Sequence, residues 1–227
     1  MLKFTINHTH NTQQLESTLL LPEGQSPFPA VLMFHEYTGL TSTVEQQALQ
    51  LVNAGFAVFC ADFYGVDERP KNVAEAITAH KVYRNDRALM RERGVHCYET
   101  LMKCDDIDSK RISALGFSFG GGAALELARA RVLLQNAISI YGYLETSIPI
   151  KSQAIKTPIY CLHVDNDPVL PEDAVEQFAH EMDTTASNYT LETIDSVQHG
   201  FMNPDNPEYN EALAKTYWAK LISLLND

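Results

Sequence analysis

At 227 residues, 45% of them apolar and 20% charged, the chain has the size and composition of one globular domain with a sizeable core. Its 17 basic and 29 acidic residues leave a formal charge of −12, which excludes the basic footprint that nucleic acid or an anionic membrane needs in a main partner. No apolar run approaches a membrane span, and "MLKFTINHTHNTQQ" carries no secretory signal.

In chain order, "LKFTI" alternates apolar and polar residues and predicts an edge strand, paired antiparallel with "ESTLLLP", which Pro22 and Gly24 stop. "PAVLMFH" is a continuous apolar run and predicts a strand covered on both faces. "STVEQQALQLVNAG" predicts a helix, with Ser42 and Glu45 at capping-box spacing and Gly55 as the stop. "FAVFCADF" predicts a second buried strand, and the residues from Asn72 to about Lys103 predict two helices broken near Gly94. "KRISALGF" predicts a third buried strand, followed by a helix in "GGGAALELARA". "NAISIYG" and "TPIYCLHV" predict strands flanking an irregular stretch, "PEDAVEQFAHEM" a helix, and "NYTLETI" the last strand. The closing helix carries an apolar stripe of Leu213, Tyr217, Leu221 and Leu224. Such alternation predicts an α/β fold: a mostly parallel sheet with helices on both faces and its sites at the carboxyl ends of the strands. Cys60, Cys97, Cys104 and Cys161 lack C-x-x-C spacing and read as free thiols of a cytoplasmic protein.

One stretch, "ALGFSFGGGAAL", points to chemistry. Gly116-Phe117-Ser118-Phe119-Gly120 fits G-x-S-x-G after a strand and before a helix. In that setting the serine occupies a strained turn that needs small neighbours, and the helix aims its positive end at the hydroxyl. A serine hydroxyl is inert without a base, so a histidine and an orienting acid are required. Asp165 and Asp167, in "YCLHVDNDPVLP", both follow a buried strand; Asp167 is favoured, from its turn before Val169 and Pro171. His199, in "SVQHGF", is the one histidine of 8 in the loop after the final strand. This order of serine, acid and histidine resembles that of α/β-hydrolases.

"FHEYTG", "CADFYG", "GFSFGG", "YG" at Tyr141, "DNDPVLP" and "HGF" together resemble the dienelactone hydrolase family over nearly the whole chain. The resemblance implies a single α/β-hydrolase domain over 1–227 that hydrolyses small carboxylic esters or lactones. It makes Ser118 the nucleophile, His199 the general base and then acid, and Asp167 its orienter. It also implies an oxyanion hole of the Tyr37 and Phe119 backbone N–H groups, with Glu36 beside the nucleophile. Two departures stand out. Family members commonly carry cysteine where this chain has Ser118, which leaves a nucleophile-substituted or non-catalytic ligand-binding form as the rival reading. Members that hold a substrate carboxylate do so with arginines, one shortly after the catalytic histidine, where this chain has Asn203.

Arg84, Arg87 and Arg91 offer other guanidinium groups, although a solvated helix face is the preferred reading of them. Tyr37, Tyr64, Tyr83, Tyr143 and Phe201 fall at the same strand ends and imply a neutral, aryl-tolerant pocket. A neutral phosphotriester is the alternative substrate. The mechanism needs no cofactor and no metal; His8 and His10, at i, i+2 spacing with no third ligand nearby in sequence, read as ordinary surface. The partner is a small molecule, and the chain acts as a monomer or homodimer.

Overall fold

β1 (Leu2–His10) and β2 (Gln13–Leu21) form an antiparallel hairpin that turns at Asn11, in the left-handed region at φ 56°. β2 then pairs antiparallel with β4 (Ala57–Ala61). From β3 (Phe28–Phe34) onward all pairing is parallel, through β5 (Ile107–Phe117), β6 (Ala137–Ile140), β7 (Ile159–Val164) and β8 (Tyr189–Ile194). The eight strands make one sheet in the order β1-β2-β4-β3-β5-β6-β7-β8. These features come from a computed structural model that describes residues 1–226, so the last residue of the 1–227 reading lies outside it.

The period of two along a strand divides the core. In β3, Val31 and Met33 face a cluster with α1 (Ser42–Asn53) and α6 (Glu211–Asn226). Ala30, Leu32 and Phe34 face the opposite cluster with α3 (Arg87–Leu101), α4 (Phe119–Arg129) and α5 (Ala174–Thr184). Both faces are therefore dry, as the continuous apolar strands require. α2 (Val73–Asn85) lies outside α3 and buries only Ala76, His80 and Tyr83. Among the described residues no helix is long and apolar enough to cross a membrane.

Three local expectations need correction. The residue capping α1 is Thr41, in extended conformation and without a side-chain cap bond, so Ser42 and Glu45 form no capping box. The break between α2 and α3 falls at Asp86, whose φ of −120° and ψ of 88° leave the helix while its carboxylate caps Leu89 N–H at 3.0 Å. Gly94 instead lies inside α3, buried against Leu127 of α4. In α6 the buried stripe is Ala214, Tyr217, Trp218, Leu221 and Leu225, with Leu213 and Leu224 at its margins. Trp218 sets that rotation by packing its ring 5.5 Å from Phe117.

Candidate active site

Ser118 joins β5 to α4 with φ 52° and ψ −117°, a region that side chains rarely occupy. Its N–H is held at 2.9 Å by Ile140 O from the neighbouring β6. Glycine is dictated on both sides. A methyl group at Gly116 would collide with the carbonyl of Gly120, and one at Gly120 with the carbonyl of Phe34 in β3. The small residues thus do two things at once: they seat α4 against the sheet and drive the hydroxyl out of the strand end.

Two loops from farther along the chain reach that hydroxyl. His199 Nε2 lies 2.8 Å from Ser118 Oγ, and His199 Nδ1 lies 2.6 Å from Asp167 Oδ2. The other carboxylate oxygen of Asp167 accepts from Val169 N–H at 2.9 Å. Asp167 is buried, whereas Asp165 is exposed and bonds only Asn166 through its side chain, so the structure brings Asp167 to the histidine. The Tyr141 ring lies edge-on to the imidazole at 5.0 Å, and Phe201 supports Tyr141 from the core at 5.8 Å.

The loop after β3 supplies the opposite wall. His35 is buried and donates from Nδ1 to Glu36 O at 2.6 Å, which fixes its tautomer and the loop's path. Among the described residues nothing accepts from the N–H of Tyr37 or of Phe119, the first residue of α4. The Phe119 N–H follows Ser118 in the chain and opens α4 at its positive end. Glu36 is buried, accepting from Tyr141 Oη at 3.2 Å on one oxygen and from Asn203 Nδ2 at 3.0 Å on the other. Burial pushes its carboxyl above the usual carboxylate range, partly offset by these two bonds and by nearby His199. Tyr141 and Asn203 thus hold Glu36 from two distant segments, contacts that no sequence motif announced.

The remaining predicted residues fall in varied places. Tyr64 is buried and donates its hydroxyl to Tyr37 O at 2.8 Å, bracing the donor loop. Tyr83 is buried against Phe63, at 5.0 Å between rings. Tyr143 lies beneath the Arg84 guanidinium at 4.1 Å. The three arginines do not form a solvated face. Arg84 donates to Val169 O at 2.8 Å, buried Arg87 pairs with Glu145 at 2.9 Å, and Arg91 pairs with Glu126 at 2.8 Å. Nor are His8 and His10 ordinary surface. His8 Nδ1 lies 2.9 Å from His96 Nε2, and the His96 ring stacks 4.8 Å from that of His10. Arg93 Nε donates to His10 Nδ1 at 2.9 Å. No group of three or more His, Cys, Asp or Glu among the described residues is arranged to hold a metal ion.

The sheet order, the strained serine between strand and helix, and the acid and histidine delivered after later strands define an α/β-hydrolase. The dienelactone hydrolase family profile matches residues 15–227, and the chain belongs to that family. Among its relatives, a putative carboxymethylenebutenolidase of Aquifex aeolicus is 26% identical over 203 residues, 86% of each chain. A probable 2-oxo-3-(5-oxofuran-2-ylidene)propanoate lactonase of Bradyrhizobium is 24% identical over 207 residues, 87% of this chain and 83% of that one. In structure, a dienelactone hydrolase-like promiscuous phosphotriesterase from metagenomic libraries superposes with a TM-score of 0.91 at 23% identity. That match covers 99% of this chain and 97% of the other.

Proposed function

We propose that the protein hydrolyses small neutral carboxylic esters or lactones through an acyl-enzyme on Ser118. The observation that carries this reading is the unbroken hydrogen-bonded line from Ser118 Oγ through both nitrogens of His199 to Asp167. Asp167 holds the proton of the neutral ring on Nδ1, so Nε2 presents its lone pair to the serine hydroxyl. Ser118 attacks the carbonyl carbon as Nε2 takes its proton. The new oxyanion lies against the Phe119 and Tyr37 N–H groups, which are fixed before the charge develops. The alcohol leaves with the proton from Nε2. Water, deprotonated by the same nitrogen, then attacks the acyl group and returns Ser118.

The preference for neutral substrates follows from the partners around the site. Glu36 is met by a phenol and an amide, not by a cation, and Arg84 is already committed to a backbone carbonyl and a tyrosine ring. A substrate carboxylate placed there would lose its hydration without gaining a free positive partner. A neutral phosphotriester presents a phosphoryl oxygen to the same two donors. The solved relative described as a promiscuous phosphotriesterase supports that as a second reading.

Initial rates on a neutral aryl ester, a lactone and a neutral phosphotriester, with wild type and Ser118→Ala, test both. The ester or lactone is turned over by wild type, and Ser118→Ala loses at least about 10⁴-fold in kcat. Equal rates in the two proteins would overturn the mechanism. On the phosphotriester, a single stoichiometric burst without further turnover overturns the second reading alone.

A further inference from the structure

We propose that Arg84 is a positioning residue, which from α2 holds the loop that carries Asp167 and thereby sets the acid against His199. The inference rests on the reading of Ser118, His199 and Asp167 as the reacting set.

Arg84 Nη2 donates to Val169 O at 2.8 Å. Val169 is the residue whose N–H holds Asp167 Oδ1 at 2.9 Å, and Leu170 N–H, just beyond, holds Asp167 O at 3.2 Å. The guanidinium therefore grips the outer side of the short turn whose inner side grips the carboxylate. The arginine is itself held. Its Cζ lies over the Tyr143 ring, 4.1 Å from the centroid, and Nη2 is 3.7 Å from Glu145 Oε1, which also pairs with buried Arg87 at 2.9 Å. A guanidinium held over an aromatic face with a carboxylate beside it is pre-oriented in a way that a lysine ammonium is not. The clamp crosses 85 residues of sequence, joining the outer helix α2 to the loop after β7. Nothing else donates to Val169 O among the described residues.

The loop after β7 contains Asn166 at φ 54° and has no regular structure between Val164 and Ala174. Without the clamp, its turn is free to shift and carry the Val169 N–H and the Asp167 carboxylate with it. A misplacement of about 1 Å in a catalytic constellation lowers turnover on the order of 10²-fold.

The test compares wild type, Arg84→Ala, Arg84→Lys and Glu145→Gln on two esters of the same alcohol, one neutral and one with a free carboxylate in the acyl part. Each protein is also labelled with a neutral fluorophosphonate. For Arg84→Ala the expected result is a fall in kcat of about 10- to 100-fold, equal for the two esters, with KM moving far less. The labelling rate falls by the same factor. Arg84→Lys recovers part of the loss, and Glu145→Gln shows a smaller loss in the same direction. Glu145→Gln also keeps the test decisive if Arg84→Ala does not fold.

A loss confined to the anionic ester, with labelling unchanged, overturns the proposal and makes Arg84 a substrate contact. Full activity in folded Arg84→Ala, or in Glu145→Gln when Arg84→Ala is unfolded, overturns it outright. If wild type is not labelled at Ser118, the reading of the nucleophile fails and this inference falls with it. Labelled wild type with an equally labelled Arg84→Ala sinks the clamp alone.

Discussion

Asparagine at position 167 keeps the shape of the acid and reverses its meaning. Asp167 Oδ1 accepts from Val169 N–H at 2.9 Å, and Oδ2 meets His199 Nδ1 at 2.6 Å. In Asp167→Asn the amide oxygen must stay on the Val169 N–H, because an amide nitrogen cannot accept there. The NH₂ group then faces His199 Nδ1, which has to present its lone pair. The single proton of the neutral ring moves to Nε2 and points at Ser118 Oγ, so the base has become a donor. With the same triad logic, the asparagine substitution in serine proteases lowers kcat about 10⁴-fold. At 1.36 kcal/mol per tenfold, that is about 5 kcal/mol of transition-state stabilisation. The neutral amide retains its bond to Val169, so the melting temperature changes little. The assay is initial-rate hydrolysis of a neutral aryl ester between about pH 6 and 9, with melting followed by circular dichroism. Asp167→Asn that is folded and retains more than about a tenth of wild-type kcat would refute the assignment of the acid.

Gly120→Ala is expected to lose activity together with stability, by several kcal/mol or about that order, since its methyl meets the Phe34 carbonyl and comes within 2.7 Å of His35 O. Urea unfolding and esterase rate on the same sample check it. For Glu36, folding raises the carboxyl, so the folded state binds more protons than the unfolded one just above the ordinary carboxylate range. The Glu36 contribution therefore falls as pH rises through that window, and the urea midpoint of Glu36→Gln, measured against wild type at the same pH, is expected to be higher at about pH 8 than at about pH 4. An unchanged difference between the two conditions contradicts the raised carboxyl. Burial holds the imidazole of His8 down to about 4, and those of His10 and His96 below their ordinary value. These groups bind more protons when unfolded, so their contribution is complete above the unfolded pKa and is lost as pH falls toward about 4. The urea midpoint of wild type relative to His8→Gln at the same pH is expected to fall across that interval.

Much of the site was legible because its signals are local in sequence. The elbow depends on glycines two positions either side of Ser118, whose backbone can come close only without a Cβ. The central strands announced themselves as unbroken apolar runs because both their faces are covered. What was hidden depends on contacts across the fold. Tyr141 meets Glu36 over 105 residues and Asn203 meets it over 167, and no short pattern records either meeting. Arg84, Arg87 and Arg91 have the spacing of a solvated helix face; the Glu145 and Glu126 that pair with them come from other elements. His8 and His10 looked isolated because His96 reaches them from α3, 88 residues after His8. The helix break at Asp86 was misplaced for a different reason. A glycine in a helix looks like an interruption, yet at the contact of α3 with α4 it is tolerated and a capping aspartate does the interrupting.

The proposed chemistry stands or falls with a Ser118 hydroxyl made nucleophilic by His199 and Asp167. The most direct measurement is reaction of the folded protein with a neutral fluorophosphonate, read by intact mass and peptide sequencing. The expected result is one phosphonyl group per chain, on Ser118, with no adduct in Ser118→Ala and a rate reduced by orders of magnitude in His199→Ala and Asp167→Asn. Wild type that hydrolyses a neutral ester at full rate while Ser118 stays unmodified would contradict it.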